Sequence, residues 1–180
     1  GLSTAAFELA GGYARQEPIA RLGRPLLAQL TDRIGESTHV AVMSGRDVVY
    51  IVEERAARRP ALVTDVGVRL PAHLTATGRA MLASLPREQV WALYPDRTGR
   101  GPRSLPQLRT LLRETRAAGV ATEDGEVTAG MRSVAVAVLD HAGWPVAAVA
   151  ATWSDFGTTD TAAVTTAVSE AAATLATRLR

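Results

Sequence analysis

The chain has 180 residues, of which 47% are hydrophobic and 21% are charged, a size and composition that fit one globular domain with its own core. Its 20 basic residues are all arginine, but 18 acidic residues leave a net charge of only +2 at pH 7, too small to indicate a nucleic-acid-binding surface. It has no cysteine, which excludes disulfides and cysteine chemistry and fits a cytoplasmic protein. No apolar stretch approaches the roughly 18 residues of a membrane span, so no membrane partner is expected.

The first part of the chain has helical periodicity that is interrupted once. Residues 3–15 are predicted to form a linker helix, Gln16-Glu17-Pro18 a break, and residues 19–34 a second helix. Pro25 is expected near the first turn of the second helix, where proline is tolerated, and Gly35 is placed to end that helix. The apolar positions of the linker helix are Phe7, Leu9, Ala10 and Tyr13.

The period then changes to one typical of strands. Residues 38–43 and 48–52 are rich in β-branched side chains and flank the turn sequence Ser44-Gly45-Arg46-Asp47, so they should form a β-hairpin. A short third strand is expected at residues 61–64.

The segment from Leu70 to Ala83 contains the first candidate binding feature. Pro71 is expected to end an extended segment, and Thr75 can cap a helix whose first residues are small enough for a ligand to approach the backbone amides. Most helix N-termini contact only water, so the sequence leaves an anion site and a solvated helix start both open.

The remaining elements alternate between helices and strands. A helix at residues 84–94 is expected to end at Pro95-Asp96, and Ser104 and Gln107 have capping-box spacing for a helix that stops at Gly119. These elements predict an α+β fold around an antiparallel sheet. The last elements are strands at 120–124, 132–139 and 145–153 and a helix from about Asp160.

Small side chains line one face of each of the last two strands. Alternation places Ser133, Ala135, Ala137 and Leu139 together on the first strand, and Ala148, Ala150 and Thr152 together on the second. If the two small faces coincide, they form a recess with two hydroxyl groups, as small-molecule sites often do. Small residues can equally admit a closely packed helix, and the sequence favours neither reading.

Two carboxylates next to this region could be catalytic. Glu123 and Asp124 lie at an expected strand end, where solvated carboxylates are the commoner case. The alternative is a small hydrolase or isomerase that uses Glu123 or Asp124 with His73 as acid and base. No catalytic motif accompanies them, so we do not expect an enzyme.

The histidines and the clustered arginines do not indicate a metal or nucleotide site. His39, His73 and His141 lack metal-ligand spacing, and no phosphate-binding or dinucleotide-binding loop is present, so neither a metal nor a cofactor is expected. Arg55, Arg58 and Arg59 are interpreted as a solvated connection between strands.

Several short motifs, in their order and spacing, resemble the effector-binding domain of the IclR family of bacterial transcriptional regulators. The resemblance covers nearly the whole chain and implies a GAF-like fold, with a six-stranded antiparallel sheet flanked by helices. The motifs are Gly35-Glu36-Ser37, Val48-Val49-Tyr50-Ile51, Leu70-Pro71-x-His73, Gly119 and Gly130-x-Arg132.

The resemblance also implies an effector site and the class of its ligand, a small organic effector such as a carboxylate or aromatic acid. Related sequences often carry Asp at position 123, Cys at 133 and a hydroxyl at 150, where this chain has Glu, Ser and Ala. The implied effector-binding positions are Ala76, Thr77, Glu123, Met131, Ser133, Ala150 and Thr152.

The resemblance further implies a domain organisation. Residues 1–17 are expected to be a linker helix that follows a winged helix-turn-helix domain missing from this chain, and residues 18–180 the effector domain. Operator DNA would then be bound only by the missing domain, and the chain would form dimers or tetramers, with Phe7, Leu9 and Tyr13 as interface positions. A domain that has lost sensing and only oligomerises is the remaining alternative.

Overall fold

A computed structural model describes residues 4–57, 62, 64–94 and 101–180, and their side chains from residue 16 onward. These residues form five helices and six strands. In chain order they are α1 (Thr4–Ile34), β1 (Ser37–Ser44), β2 (Asp47–Glu54), β3 (Arg69–Pro71), α2 (Ala76–Ser84), α3 (Arg87–Leu93), α4 (Leu105–Ala118), β4 (Ala121–Asp124), β5 (Met131–Leu139), β6 (Pro145–Ser154) and α5 (Thr161–Arg178).

The strands form one antiparallel sheet in the order β3-β2-β1-β6-β5-β4. One face carries valines that pack against α1 and α5, around the fully buried Leu27 and Leu175. The other face carries smaller residues that pack against α2, α3 and α4, around Met81 and Leu108. The predicted α+β fold with a six-stranded antiparallel sheet flanked by helices is therefore confirmed.

The break predicted at residues 16–18 is wrong, because α1 continues through Pro18 and Pro25. A proline inside a helix removes one hydrogen bond to the carbonyl four residues earlier. At Pro25 that carbonyl belongs to Arg21, and both residues are exposed, so the freed group can bind water. Burial of Leu27 and Leu30 against the sheet then keeps the helix continuous. The side chains of Phe7, Leu9 and Tyr13 lie outside the described part.

The third strand does not lie at residues 61–64, where it was predicted, but in the extended segment that was expected to end at Pro71. Its true position is β3, where Arg69–Pro71 pairs with Asp47, Val48 and Val49 of β2. Of the predicted segment, Leu62 and Thr64 are described and neither belongs to a strand. Thr64 instead turns its hydroxyl into the protein, 2.9 Å from Nε2 of His39. The arginines at 58 and 59 and the predicted helix end at Pro95-Asp96 lie outside the described residues.

The predicted helix boundaries that depend on capping are confirmed. Thr75, Ser104 and Asp160 each cap a helix through a side-chain oxygen. Gly119 ends α4 with a φ of 71°, a left-handed conformation that glycine adopts without strain. Among the described residues, no helix is long and apolar enough to cross a membrane.

Candidate ligand site

The two small faces do coincide in the sheet. Ser133 lies opposite Thr152, Ala135 opposite Ala150, and Ala137 opposite Ala148. Ala135 and Ala148 are fully buried in the cluster that contains Met81 of α2, so at this level the small residues admit a closely packed helix. At the level of Ser133 and Thr152 the same face borders a cavity. The small face therefore packs against a helix at Ala135 and Ala148 and borders a cavity at Ser133 and Thr152.

The cavity lies between the sheet and the N-terminal turn of α2, and its volume is about 30 Å³. Every residue predicted as effector-binding lines it, so the structure brings the whole predicted set together. Their contact with an effector stays a prediction. They are Ala76, Thr77, Glu123, Met131, Ser133, Ala150 and Thr152.

The start of α2 presents free backbone donors to the cavity. Oγ1 of Thr75 accepts two hydrogen bonds, from the Gly78 amide at 2.9 Å and from the Thr77 hydroxyl at 3.2 Å. No described residue accepts from the amides of Ala76 and Thr77, as is usual in the first turn of a helix. Partial positive charge at this turn favours an anionic group there.

Glu123 is buried, which corrects the expectation that it is solvated. It is only 4% exposed, because it shares the inward face of β4 with Ala121, whereas Asp124 is exposed on the outward face. Its Oε1 accepts from the Val127 amide at 2.9 Å and its Oε2 from the Ser133 hydroxyl at 3.3 Å. The Ser133 hydroxyl also lies 2.9 Å from that of Thr152, so the carboxylate belongs to a polar network on the cavity wall.

Burial raises the pKa of Glu123, and the charge of Glu126 adds to the increase, while hydrogen bonds from the Val127 backbone and Ser133 oppose it. The folded chain therefore holds this proton at pH values where the unfolded chain has released it. The free energy of unfolding should fall as pH rises from about 4.3, the ordinary pKa of a glutamate, to above the folded pKa.

We predict a pH-dependent difference between the Glu123→Gln variant and the wild-type chain. The variant does not titrate at this position, so its free energy of unfolding minus that of the wild type should grow with pH across this interval and then level off. Urea denaturation at several pH values between 4 and 8 measures it. Asp124→Asn, at an exposed neighbour, is the control, and a Glu123→Gln difference that is flat or shrinks with pH would contradict the assignment.

Sequence reasoning missed the wall of the cavity formed by β1 and β2. His39 is 1% exposed and lies opposite Ala150, and its ring meets that of Tyr50 edge to face at 5.5 Å. Burial raises the pKa of Tyr50 to about 12, although a hydrogen bond with Thr77 opposes the increase, so the phenol keeps its proton at neutral pH. Alternation along β1 places His39 on the same face of the strand as Ala41. The pairing of β1 with β6 then brings His39 to this cavity.

Arg79 binds the loop between β4 and β5, which closes one side of the cavity. It is 2% exposed and donates to the carbonyls of Thr122 and His73 at 2.8 and 2.9 Å, and to Glu126 at 2.7 Å. The second oxygen of Glu126 accepts from the Asp124 amide at 2.9 Å. The loop between β4 and β5 is thereby tied to α2.

His73 does not join Glu123 in the site. It is not among the residues that line the cavity, and its ring packs edge to face on Tyr94 at 5.8 Å. Burial, and then the positive charge of Arg79, lower the pKa of His73. The geometry therefore gives no acid and base pair of these two residues.

The remaining candidates are structural. Arg55 is about half exposed and pairs with Glu53 at 3.1 Å and Asp65 at 3.5 Å, as expected for a solvated connection. Within the described part of the chain, no three histidine, aspartate or glutamate residues are grouped as metal ligands.

Comparison with known proteins groups this chain with bacterial transcriptional regulators. The family model for the bacterial transcriptional regulator IclR C-terminal region matches residues 11–177. The Pca regulon regulatory protein of Pseudomonas putida is 32% identical over 147 residues, which are 78% of this chain and 50% of that protein. The chain spans about half the length of the curated relatives it matches.

Solved structures share the fold. The crystal structure of Thermotoga maritima IclR has a TM-score of 0.85 at 22% identity, over 96% of this chain and 73% of that one. An IclR homologue from Microbacterium hydrocarbonoxydans, complexed with 4-hydroxybenzoate, has a TM-score of 0.82 at 23% identity, over 99% of this chain and 75% of that one.

Proposed function

Because this chain belongs to the IclR family of bacterial transcriptional regulators and matches its C-terminal region, we propose that it is the part of a regulator that binds a small organic acid as effector. The observation that carries the proposal is the cavity between β5, β6 and the start of α2. It combines free amides, several hydroxyl groups and apolar walls, which is the usual composition of a small-molecule site.

We infer that the acid group of the effector binds at the amides of Ala76 and Thr77. None of the arginines in the described part of the chain lines the cavity, and among those residues the start of α2 is the positive end that an anion can reach. Glu123 lines the same cavity, and its carboxyl group disfavours a second negative charge on the effector, which points to a monocarboxylic acid. A structural relative is complexed with 4-hydroxybenzoate, an acid of this kind.

Binding such a molecule requires the cavity to expand. A volume of about 30 Å³ holds roughly two water molecules, since one needs about 10–15 Å³. Met131, whose unbranched side chain adapts easily, and Val127 of the closing loop are the residues placed to move. Movement of this loop would be transmitted to α2 through Glu126 and Arg79.

We further propose that this movement alters DNA binding by a separate amino-terminal region of a cytoplasmic regulator. The coupling between effector and DNA sites would be about 1–3 kcal/mol, the usual range. Dimers or tetramers would bring the DNA-binding regions together, and α1 would connect them to this domain. An enzyme that uses Glu123 or Asp124 with His73 has no support from the geometry, because His73 does not line the cavity. The cavity favours a domain that binds an effector over one that only oligomerises.

A thermal-melt screen tests the proposal. We expect one chemical class among monocarboxylates, dicarboxylates, keto acids and aromatic acids to stabilise the chain. At about 100 times its dissociation constant a ligand adds roughly 2.7 kcal/mol, or about 5–10 °C for a domain of this size. Methyl esters of the same acids are the controls and should give smaller shifts. A cooperative melt that none of the acids shifts would contradict the proposal.

A further inference from the structure

His39 has a buried polar atom that no residue described by the structure pairs with. Its side chain lies on the cavity wall and is 1% exposed. Its Nε2 is 2.9 Å from the Thr64 hydroxyl, whereas its Nδ1 is buried and makes no hydrogen bond with any described residue. Buried polar atoms in native proteins nearly always have a partner, so an unpaired one in a side chain that lines a cavity indicates a group that a ligand can satisfy when the cavity expands to admit it.

The charges around the ring favour one of its two nitrogens as the site of the proton. Nε2 lies 3.7 Å from Oε1 of Glu53, whose side chain is 5% exposed and whose Oε2 pairs with Arg55 at 3.1 Å. The negative charge beside Nε2 favours the tautomer with its hydrogen there, donating toward Thr64. Nδ1 is then an acceptor, and the group that completes it must be a donor.

We propose that His39 is a specificity-determining residue whose Nδ1 accepts a hydrogen bond from a hydroxyl group of the effector, so that the cavity selects hydroxylated acids over acids that lack the hydroxyl. This inference rests on the proposed function and narrows its ligand class. The acid group would bind at the start of α2 and the hydroxyl at His39, because both border the same cavity.

Selectivity follows from the burial of Nδ1. A hydroxylated acid satisfies this atom, whereas its analogue without the hydroxyl leaves the atom unpaired and excludes the water that could replace it. We expect the hydroxylated member of a matched pair to bind about tenfold more tightly, the equivalent of one well-formed hydrogen bond.

Two substitutions separate the two nitrogens of the ring. Asparagine places its amide near the position of Nδ1 but does not reach Thr64, whereas glutamine reaches toward Thr64 but leaves the Nδ1 position empty. His39→Asn should therefore keep part of the preference for the hydroxylated acid, and His39→Gln should lose it.

Titration calorimetry with 4-hydroxybenzoate against benzoate, and lactate against propionate, measures the preference in the wild-type chain and both variants. Loss of the preference in His39→Gln with partial retention in His39→Asn supports the proposal. An equal preference in wild type and His39→Gln, or wild-type binding without any preference, overturns it while the proposed function stands. Failure of the wild type to bind any of these acids, together with a melt screen that finds no acid, overturns both.

A measurement on the ligand-free wild-type chain tests the tautomer without depending on the folding of a variant. Long-range proton–nitrogen spectra of the imidazole rings distinguish the two neutral forms, and the separate environments of His39, His73 and His141 give separate signals. We expect hydrogen on Nε2 of His39. Hydrogen on Nδ1 would make that atom a donor and overturn the assignment of a hydroxyl partner.

Discussion

Replacing Gly78 with alanine is expected to lower the free energy of unfolding by about 3 kcal/mol or more, which corresponds to a fall of roughly 6–12 °C in Tm. A Cβ at this position would overlap the carbonyl oxygen, the Cα and the carbonyl carbon of Ala72, closer than real Cβ atoms approach. These are backbone atoms and cannot turn aside as a flexible side chain could. The segment before α2 would have to shift as a whole.

The same shift would disturb the candidate site. The Gly78 amide donates to Thr75 and holds the cap of α2, while the amides of Ala76 and Thr77 lie in the same turn. Gly78→Ala should therefore weaken binding of any acid that the screen identifies.

Gly23→Ala is the matched control for this prediction. Gly23 also lies in a helix, but its added Cβ would meet only methyl groups of Val40 and Val52, at 3.3 and 3.6 Å. Alanine favours helix by about 0.5–1 kcal/mol over glycine, which should offset the close contact. Thermal melts of the two variants give the comparison, and equal stabilities would show that the approach of Ala72 to Gly78 does not constrain α2.

Replacing Ser133 with leucine is expected to weaken effector binding at least 100-fold, a loss of about 2.7 kcal/mol or more. Ser133 borders a cavity of only about 30 Å³, and the larger side chain would fill it. The substitution also removes the hydroxyl that links Glu123 to Thr152. Overpacking costs about 1–3 kcal/mol, so the chain should be less stable but still melt cooperatively.

Ser133→Ala separates the two effects of this substitution. It removes the hydroxyl and leaves the space open, so binding should weaken much less than in Ser133→Leu. Titration calorimetry with the acid that shifts the melt most gives both affinities. Wild-type affinity in Ser133→Leu would remove this cavity as the effector site.

Local signals were sufficient to predict most of the fold. The hydrophobic period, the capping residues and the turn sequences depend only on neighbours along the chain. The helix caps predicted from them are present at Thr75, Ser104, Asp160 and Gly119. Alternation along β5 and β6 likewise gave the small face, because the strands pair without a register shift from Ser133 to Val138.

The errors arose where distant parts of the chain decide the outcome. The continuity of α1 depends on its packing against the sheet, which the pattern around Pro18 does not contain. β3 has three residues and is defined by its pairing with β2, so it has no periodicity of its own. Pro71 marked the end of an extended segment, but its membership of the sheet follows only from its pairing with β2.

The site was partly predictable for the same reason. Family resemblance supplied Glu123 as a binding position, but residue type alone favoured a solvated carboxylate, because its partners Val127 and Ser133 are supplied by a loop and another strand. His39 and Tyr50 enter the cavity only through the pairing of β1 with β6 and β2. No pattern within either strand marks them.

The most direct test of the central claim is a crystal structure of the chain grown with the acid that stabilises it most in the melt screen. We expect electron density for the acid between β5, β6 and the start of α2, with its acid group at the amides of Ala76 and Thr77 and an enlarged cavity around Met131. Density for the acid bound elsewhere, with this cavity unchanged, would contradict the account.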